Sequence, residues 1–129
     1  MNISATIITF NEERNIKNCI ESLLDIADEI IVVDSYSTDK TEQVCKAFNK
    51  VQFIQNNFEG HIEQKNFAVS IASNNFILSL DADERLSPEL IDELNKIKSD
   101  NAVTTLAYSM PRLNNYCGKW IRYSGWYPD

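Results

Sequence analysis

The sequence predicts an α/β fold built on a mostly parallel central sheet. Three observations carry that expectation. Short apolar runs, rich in β-branched residues, alternate with segments of helical period four times between Ile3 and Ile97. Each run is bounded by polar residues, which suits a strand better than a helix. The stretch joining one run to the next is long enough for a helical crossover, so consecutive strands should lie parallel with right-handed connections.

The elements follow in order. Ile3 to Thr9 reads as the first strand. Asn11 is placed to cap the helix that follows, with Glu12 and Glu13 in its first turn at the positive end of the helix dipole. Ile16, Cys19, Ile20, Leu23 and Leu24 form its inward face. Glu29 to Asp34 is a second buried strand, followed by a loop, Ser35 to Asp39, that offers several caps. A second helix turns Val44, Cys45 and Phe48 inward, and Val51 to Ile54 is a short third strand. A third helix is expected from about His61 to Ser73, with Ile62, Val69 and Ala72 on one side. Phe76 to Leu80 is a fourth strand, expected to be buried on both faces, that runs into Asp81-Ala82-Asp83. Ser87-Pro88-Glu89 starts a fourth helix, with Leu90, Ile91, Leu94 and Ile97 inward. Ala102 to Met110 is a candidate fifth strand, and the aromatic, basic and turn-rich remainder stops at Asp129 without a terminating element.

Composition narrows the function classes. The 129 residues suit one compact domain. A formal net charge of −7 disfavours general binding to nucleic acid. It also means that an anionic small molecule needs local cations or a metal. No apolar run reaches the length of a membrane span, and the N-terminus lacks the basic region of a signal peptide, so the expected location is cytoplasmic. Cys19, Cys45 and Cys117 fit no zinc spacing, and the first two read as small core residues.

Chemistry gathers at one edge. Thr9 to Glu12 ends the first strand, Asp34 to Ser37 the second and Asp81 to Asp83 the fourth. Parallel strands point their carboxyl ends the same way, and open α/β sheets bind ligands there. Two carboxylates brought together repel each other and lose hydration. A hard divalent cation such as Mg²⁺ or Mn²⁺, which takes carboxylate and phosphate oxygens, is the simplest partner. An acidic solvated turn is the bland alternative.

Thr9-Phe10-Asn11-Glu12-Glu13, Ile31-Val-Val-Asp34-Ser-x-Ser-x-Asp39, Gln64-Lys65-Asn66 and Leu80-Asp-Ala-Asp83-Glu, in that order, resemble the family 2 glycosyltransferases. Pro111-Arg112, Tyr116-x-Gly118-Lys-Trp120 and Gly125-Trp-Tyr-Pro-Asp129 are similar to the subgroup that works on lipopolysaccharide core and related cell-envelope glycans. The resemblance implies a GT-A fold, a Rossmann-like nucleotide-diphospho-sugar transferase sandwich. It implies an inverting transfer of a sugar from a nucleotide diphosphate donor, most often UDP-linked, to a glycan or lipid-linked acceptor hydroxyl. Residues 1–100 would form the donor-binding core, and residues 101–129 would begin an acceptor-side region that is cut short.

Within that implied site Thr9, Phe10 and Glu12 line the nucleotide pocket, with Phe10 against the base or, alternatively, packed in the core. Asp34 accepts from the uracil N3–H or caps the following helix, and Ser35 is a weaker nucleoside contact. Lys65 reaches the diphosphate or lies solvated, with Asn66 a lesser candidate. Asp83 holds Mn²⁺ or Mg²⁺, Asp81 and Ala82 face the donor, and Glu84 stands behind the metal or is exposed. The base that takes the acceptor proton is expected beyond Asp129, and His61 reads as a cap or surface residue. Arg112, Lys119 and Arg122, among Trp120, Tyr123, Trp126 and Tyr127, suit a phosphorylated glycan or the inner face of the membrane; left uncovered, those aromatics favour self-association.

Two readings from other classes compete. A haloacid dehalogenase-type phosphatase also places Asp-x-Asp after an apolar strand, but Arg85 stands where it usually carries Thr or Val. A non-catalytic donor-binding or interaction module is the other. A sugar nucleotidyltransferase would share the fold but opens with a Gly-rich basic loop, which Thr-Phe-Asn-Glu-Glu is not.

Overall fold

The computed structural model describes residues 1–99, 114–116 and 119–121. Strands β1 (Ile3–Thr9), β2 (Glu29–Asp34), β3 (Val51–Gln55) and β4 (Phe76–Asp81) form one parallel sheet in the order β3-β2-β1-β4. Helices α1 (Ile16–Leu23), α2 (Thr41–Lys46), α3 (His61–Ser70) and α4 (Pro88–Ser99) alternate with them. Two short strands, β5 (Asn114–Tyr116) and β6 (Lys119–Ile121), pair antiparallel with each other. The expected strand at 102–110 and most of the basic aromatic tail lie outside the described residues.

The strand period sorts side chains to two faces. Ile3, Ala5 and Ile7 of β1, Ile30 and Val32 of β2, and Leu78 and Leu80 of β4 share one face. Ile16, Cys19, Ile20 and Leu23 of α1, Cys45 of α2 and Leu94 of α4 cover it, with Val44, Phe48, Leu90 and Ile91 half-buried around them. Ile31 and Val33 point to the other face, where Ala68, Phe67, Ile71 and Ala72 pack. The result is a three-layer sandwich with α3 alone on its side among the described helices. Ser87 caps α4 as expected, its Oγ accepting from the Leu90 N–H at 3.1 Å.

Three expectations are corrected. Asn11 does not cap a helix: α1 begins only at Ile16, and Asn11 sits in the left-handed region at φ 50° with its Oδ1 accepting from the Thr38 N–H at 2.8 Å. Its side chain serves the neighbouring loop instead. On α3 the inward residues are Gln64 and Ala68, whereas Ile62 is 72% exposed and Val69 also faces solvent. Ile62 lies half a turn away from Gln64, so an apolar residue marked the wrong side. Finally, β4 is not buried on both faces, because Ser79 is exposed. It is one of the two edge strands of this sheet, and only its α1 side is fully covered.

Candidate functional site

The parallel register brings the strand tips together as expected. Thr9 pairs with Asp34 across β1 and β2, and Ile8 with Asp81 across β1 and β4. Thr9 and Asp34 therefore stand side by side on the α1 face, and Asp81 points to the α3 face.

Asp34 is fully buried. Its Oδ2 accepts from the Ser37 N–H at 2.8 Å and its Oδ1 from the Ser37 hydroxyl. Ser37 Oγ in turn accepts from the Asn11 N–H at 2.8 Å. A second chain runs parallel to it. The Glu12 N–H donates to Thr41 Oγ1 at 2.9 Å, and that hydroxyl donates to Asp39 Oδ1 at 2.6 Å. The Glu13 N–H donates to Asp39 Oδ2 at 3.2 Å. Burial raises the Asp39 carboxyl, but the Thr41 hydroxyl and the backbone N–H donors outweigh it and leave it below the usual carboxylate range. These bonds tie the β1–α1 loop to the β2–α2 loop. The sequence motif containing Asp34, Ser37 and Asp39 is thus first of all a brace that fixes where Phe10 and Glu12 stand.

Phe10 is 55% exposed, which excludes the core-packing alternative for it. Thr9 is buried, and its Oγ1 has no hydrogen-bond partner among the described residues. Glu12 is half-buried, its Oε2 accepting from Asn15 Nδ2 at 2.9 Å.

Across the sheet, Lys65 of α3 meets Asp81 at 3.2 Å, both about two-fifths exposed. Its neighbour Gln64 is buried and acts as a joint. Gln64 Nε2 donates to Ser35 Oγ and to the Asn56 carbonyl, both at 3.2 Å, and Gln64 Oε1 accepts from Asn56 Nδ2 at 3.0 Å. Asn66 is exposed and turned away from that joint. Beyond Asp81, Ala82 is buried in the core and Asp83 is exposed. Ligand oxygens of Asp81, Asp83 and Glu84 lie within 4.8 Å of one another. A tight turn makes this possible: the Glu84 N–H donates to the Asp81 carbonyl at 3.0 Å, and Glu84 Oε1 accepts from the Asp81 N–H at 3.2 Å. Cys19 lies beneath, with its Sγ 3.7 Å from the Asp81 carbonyl, and burial with the nearby Glu84 and Asp83 charges pushes its thiol up to about 12.

Residue selection from sequence missed Glu84 as a full member of the acidic group, and Gln64, Ser37 and Thr41 as the parts that hold the edge together. The alternation of hydroxyls with Asp34 and Asp39 was the available sign. His61 is exposed, edge-to-face with Phe58 at 5.1 Å. A polar depression bounded by Met1, Asn2 and Ser73 to Phe76 sits at the amino ends of β1 and β4, away from the acidic edge.

This arrangement matches known proteins. The model of glycosyl transferase family 2 matches residues 4–124. The chain belongs to that family. An uncharacterized glycosyltransferase of Rickettsia bellii is 46% identical over 112 residues, covering 86% of this chain and 38% of the relative. The lipopolysaccharide core biosynthesis glycosyltransferase LpsC of Rhizobium meliloti is 36% identical over 120 residues, covering 88% of this chain and 44% of LpsC. Among solved structures, glucosyl-3-phosphoglycerate synthase of Mycobacterium tuberculosis in complex with Mn²⁺, UDP and glucosyl-3-phosphoglycerate has a TM-score of 0.56 at 26% identity, covering 65% of this chain and 35% of that one. The fold is the GT-A glycosyltransferase fold. The chain spans about two-fifths of the length of these two curated relatives.

Proposed function

We propose that this chain supplies the donor half of an inverting glycosyltransferase. It takes a sugar from a nucleotide diphosphate, UDP-linked, and directs it to a glycan or lipid-linked hydroxyl in cell-envelope polysaccharide or lipopolysaccharide synthesis. Residues 1–100 are the donor-binding core, and residues 101–129 begin the acceptor side. The observation that carries this reading is the group Asp81, Asp83 and Glu84 gathered beside Lys65 on the edge that also presents Phe10. LpsC supports the envelope assignment, and the UDP-bound synthase supports the donor class.

The residues fit a divalent metal. Three carboxylates within 4.8 Å are a hard oxygen donor set of the kind such an ion takes. Asp83 would hold Mn²⁺ or Mg²⁺, with Glu84 beside it and Asp81 towards the donor. A bound ion of this kind stabilises negative charge on a departing nucleoside diphosphate. The chain's own residues do the remaining work. Lys65 draws in the diphosphate as a point charge. Phe10 offers its face to the base, a contact tolerant of which base it is. Thr9 and Asp34, held by the braced loops, offer a hydroxyl and a carboxylate to the nucleoside, and buried Ala82 brings backbone close. No described residue is assigned as the base for the acceptor proton. The enzyme works in the cytoplasm at the inner membrane face. Among the described residues no helix is long and apolar enough to cross a membrane.

Calorimetry with UDP, GDP and ADP, each with and without Mn²⁺, tests the reading on the chain and on Asp83→Asn. UDP should bind best, need the metal and weaken about tenfold or more in the variant. A GDP preference would move the donor, and UDP binding indifferent to both metal and variant would remove the role given to Asp83.

A further inference from the structure

Tyr36 has a left-handed backbone, φ 61°, and its ring is 52% exposed. For a bulky residue this conformation is disfavoured, because Cβ crowds the following carbonyl; glycine would adopt it freely. The ring does not offset that cost by packing into the core. The backbone on both sides of it is fixed. The Ser35 N–H donates to the Thr9 carbonyl at 3.0 Å, and Ser35 Oγ accepts from Gln64. Ser37 is held by Asp34 and by the Asn11 N–H. Neighbouring elements therefore impose the conformation, as happens where strain serves a site. Its place is the carboxyl end of β2, on the loop bonded directly to the one that presents Phe10.

We propose that Tyr36 is a second aromatic platform for the nucleoside of the donor, working with Phe10. This rests on the donor-binding reading above. The ring is directed outward at the ligand edge by a backbone turn that glycine or asparagine would take at less cost, so the tyrosine there is explained by what its face touches.

The experiment measures thermal stability and the binding of UDP and UMP, in Mn²⁺, for the parent chain and for Tyr36→Gly, Tyr36→Asn and Tyr36→Phe. Glycine and asparagine both tolerate the left-handed region. Each should raise the Tm by about 4 °C and weaken UDP roughly tenfold or more. Phenylalanine should leave both within error. The loss should be the same for UMP as for UDP, because the contact is with the nucleoside. Parent-like UDP affinity in both the glycine and the asparagine variants overturns the proposal, as does a loss confined to UDP. A parent chain that binds no UDP overturns this inference together with the donor reading, whereas a parent that binds beside unaffected variants removes Tyr36 alone.

Discussion

Thr9 and Asp34 are neighbours across two strands, yet their surroundings differ sharply. Asp34 has both oxygens occupied by Ser37, while the Thr9 hydroxyl has no partner among the described residues. A buried hydroxyl without a bond carries a desolvation cost of about 1–3 kcal/mol. Thr9→Val keeps the shape and removes that cost, so calorimetric melting should show a Tm equal to or above the parent's. If the hydroxyl serves the donor, UDP affinity should fall in the same variant. Ser37→Ala acts the other way, because it strips Asp34 of its hydroxyl donor and cuts the link to Asn11; a loss of about 1–3 kcal/mol in denaturant melts is expected. Lys65→Met should barely alter stability, by less than about 1 kcal/mol, since its pair with Asp81 is well exposed. Its effect belongs in UDP affinity, which should drop and lose much of its dependence on ionic strength.

Among the elements, strands were the easier to read. β1 and β2 carry unbroken β-branched runs whose ends are marked by polar residues, and their limits were legible for that reason. α3 was not, because its inward face is set by Gln64, a polar residue buried only because Asn56 and Ser35 satisfy it. Side-chain type alone cannot reveal such a partner. The same holds for the acidic edge: Asp81 and Asp83 were visible as a spacing, but the turn that adds Glu84 is a backbone event. Cys19 and Cys45 were legible as core, and burial pushes both thiols up to about 12. In Cys117→Ser, a thiol reagent at pH 8 should label neither until denaturant is added.

The amino end of the sheet has its own carboxylate clamp. The Lys98 ammonium and the Ile3 N–H hold Asp28 below its ordinary 3.8, at 2.7 and 2.8 Å. The Ser4 hydroxyl and the Ser73 N–H hold Glu29 below 4.5. Depressed carboxyls contribute stability that is present above their unfolded values and lost as pH falls through the folded ones. Melts between pH 7 and 3 should therefore hold level down to about 4.5 and then decline. Asp28→Asn should flatten the decline, and an unchanged slope would mean the clamp contributes nothing.

For the molecule as a whole, charge sets the terms of binding. A chain of net charge −7 repels a nucleoside diphosphate, and Lys65 beside three carboxylates does not reverse that. Donor and cation should therefore bind interdependently. UDP with Mn²⁺ at about a hundred times the dissociation constant should stabilise the fold by about 2.7 kcal/mol, while either alone does far less. A chelator should return the Tm to its starting value.

The strand order has a consequence for how the chain is made. β1 leaves the ribosome well before β4, yet one of its two hydrogen-bonded edges is completed only by β4, which begins at Phe76. Until then a largely buried strand has an open side, and closing it needs a contact between distant parts of the chain, the slow kind. Nascent chains stalled before Phe76 should be captured by chaperones or clump, and those stalled well past Asp81 should resist protease.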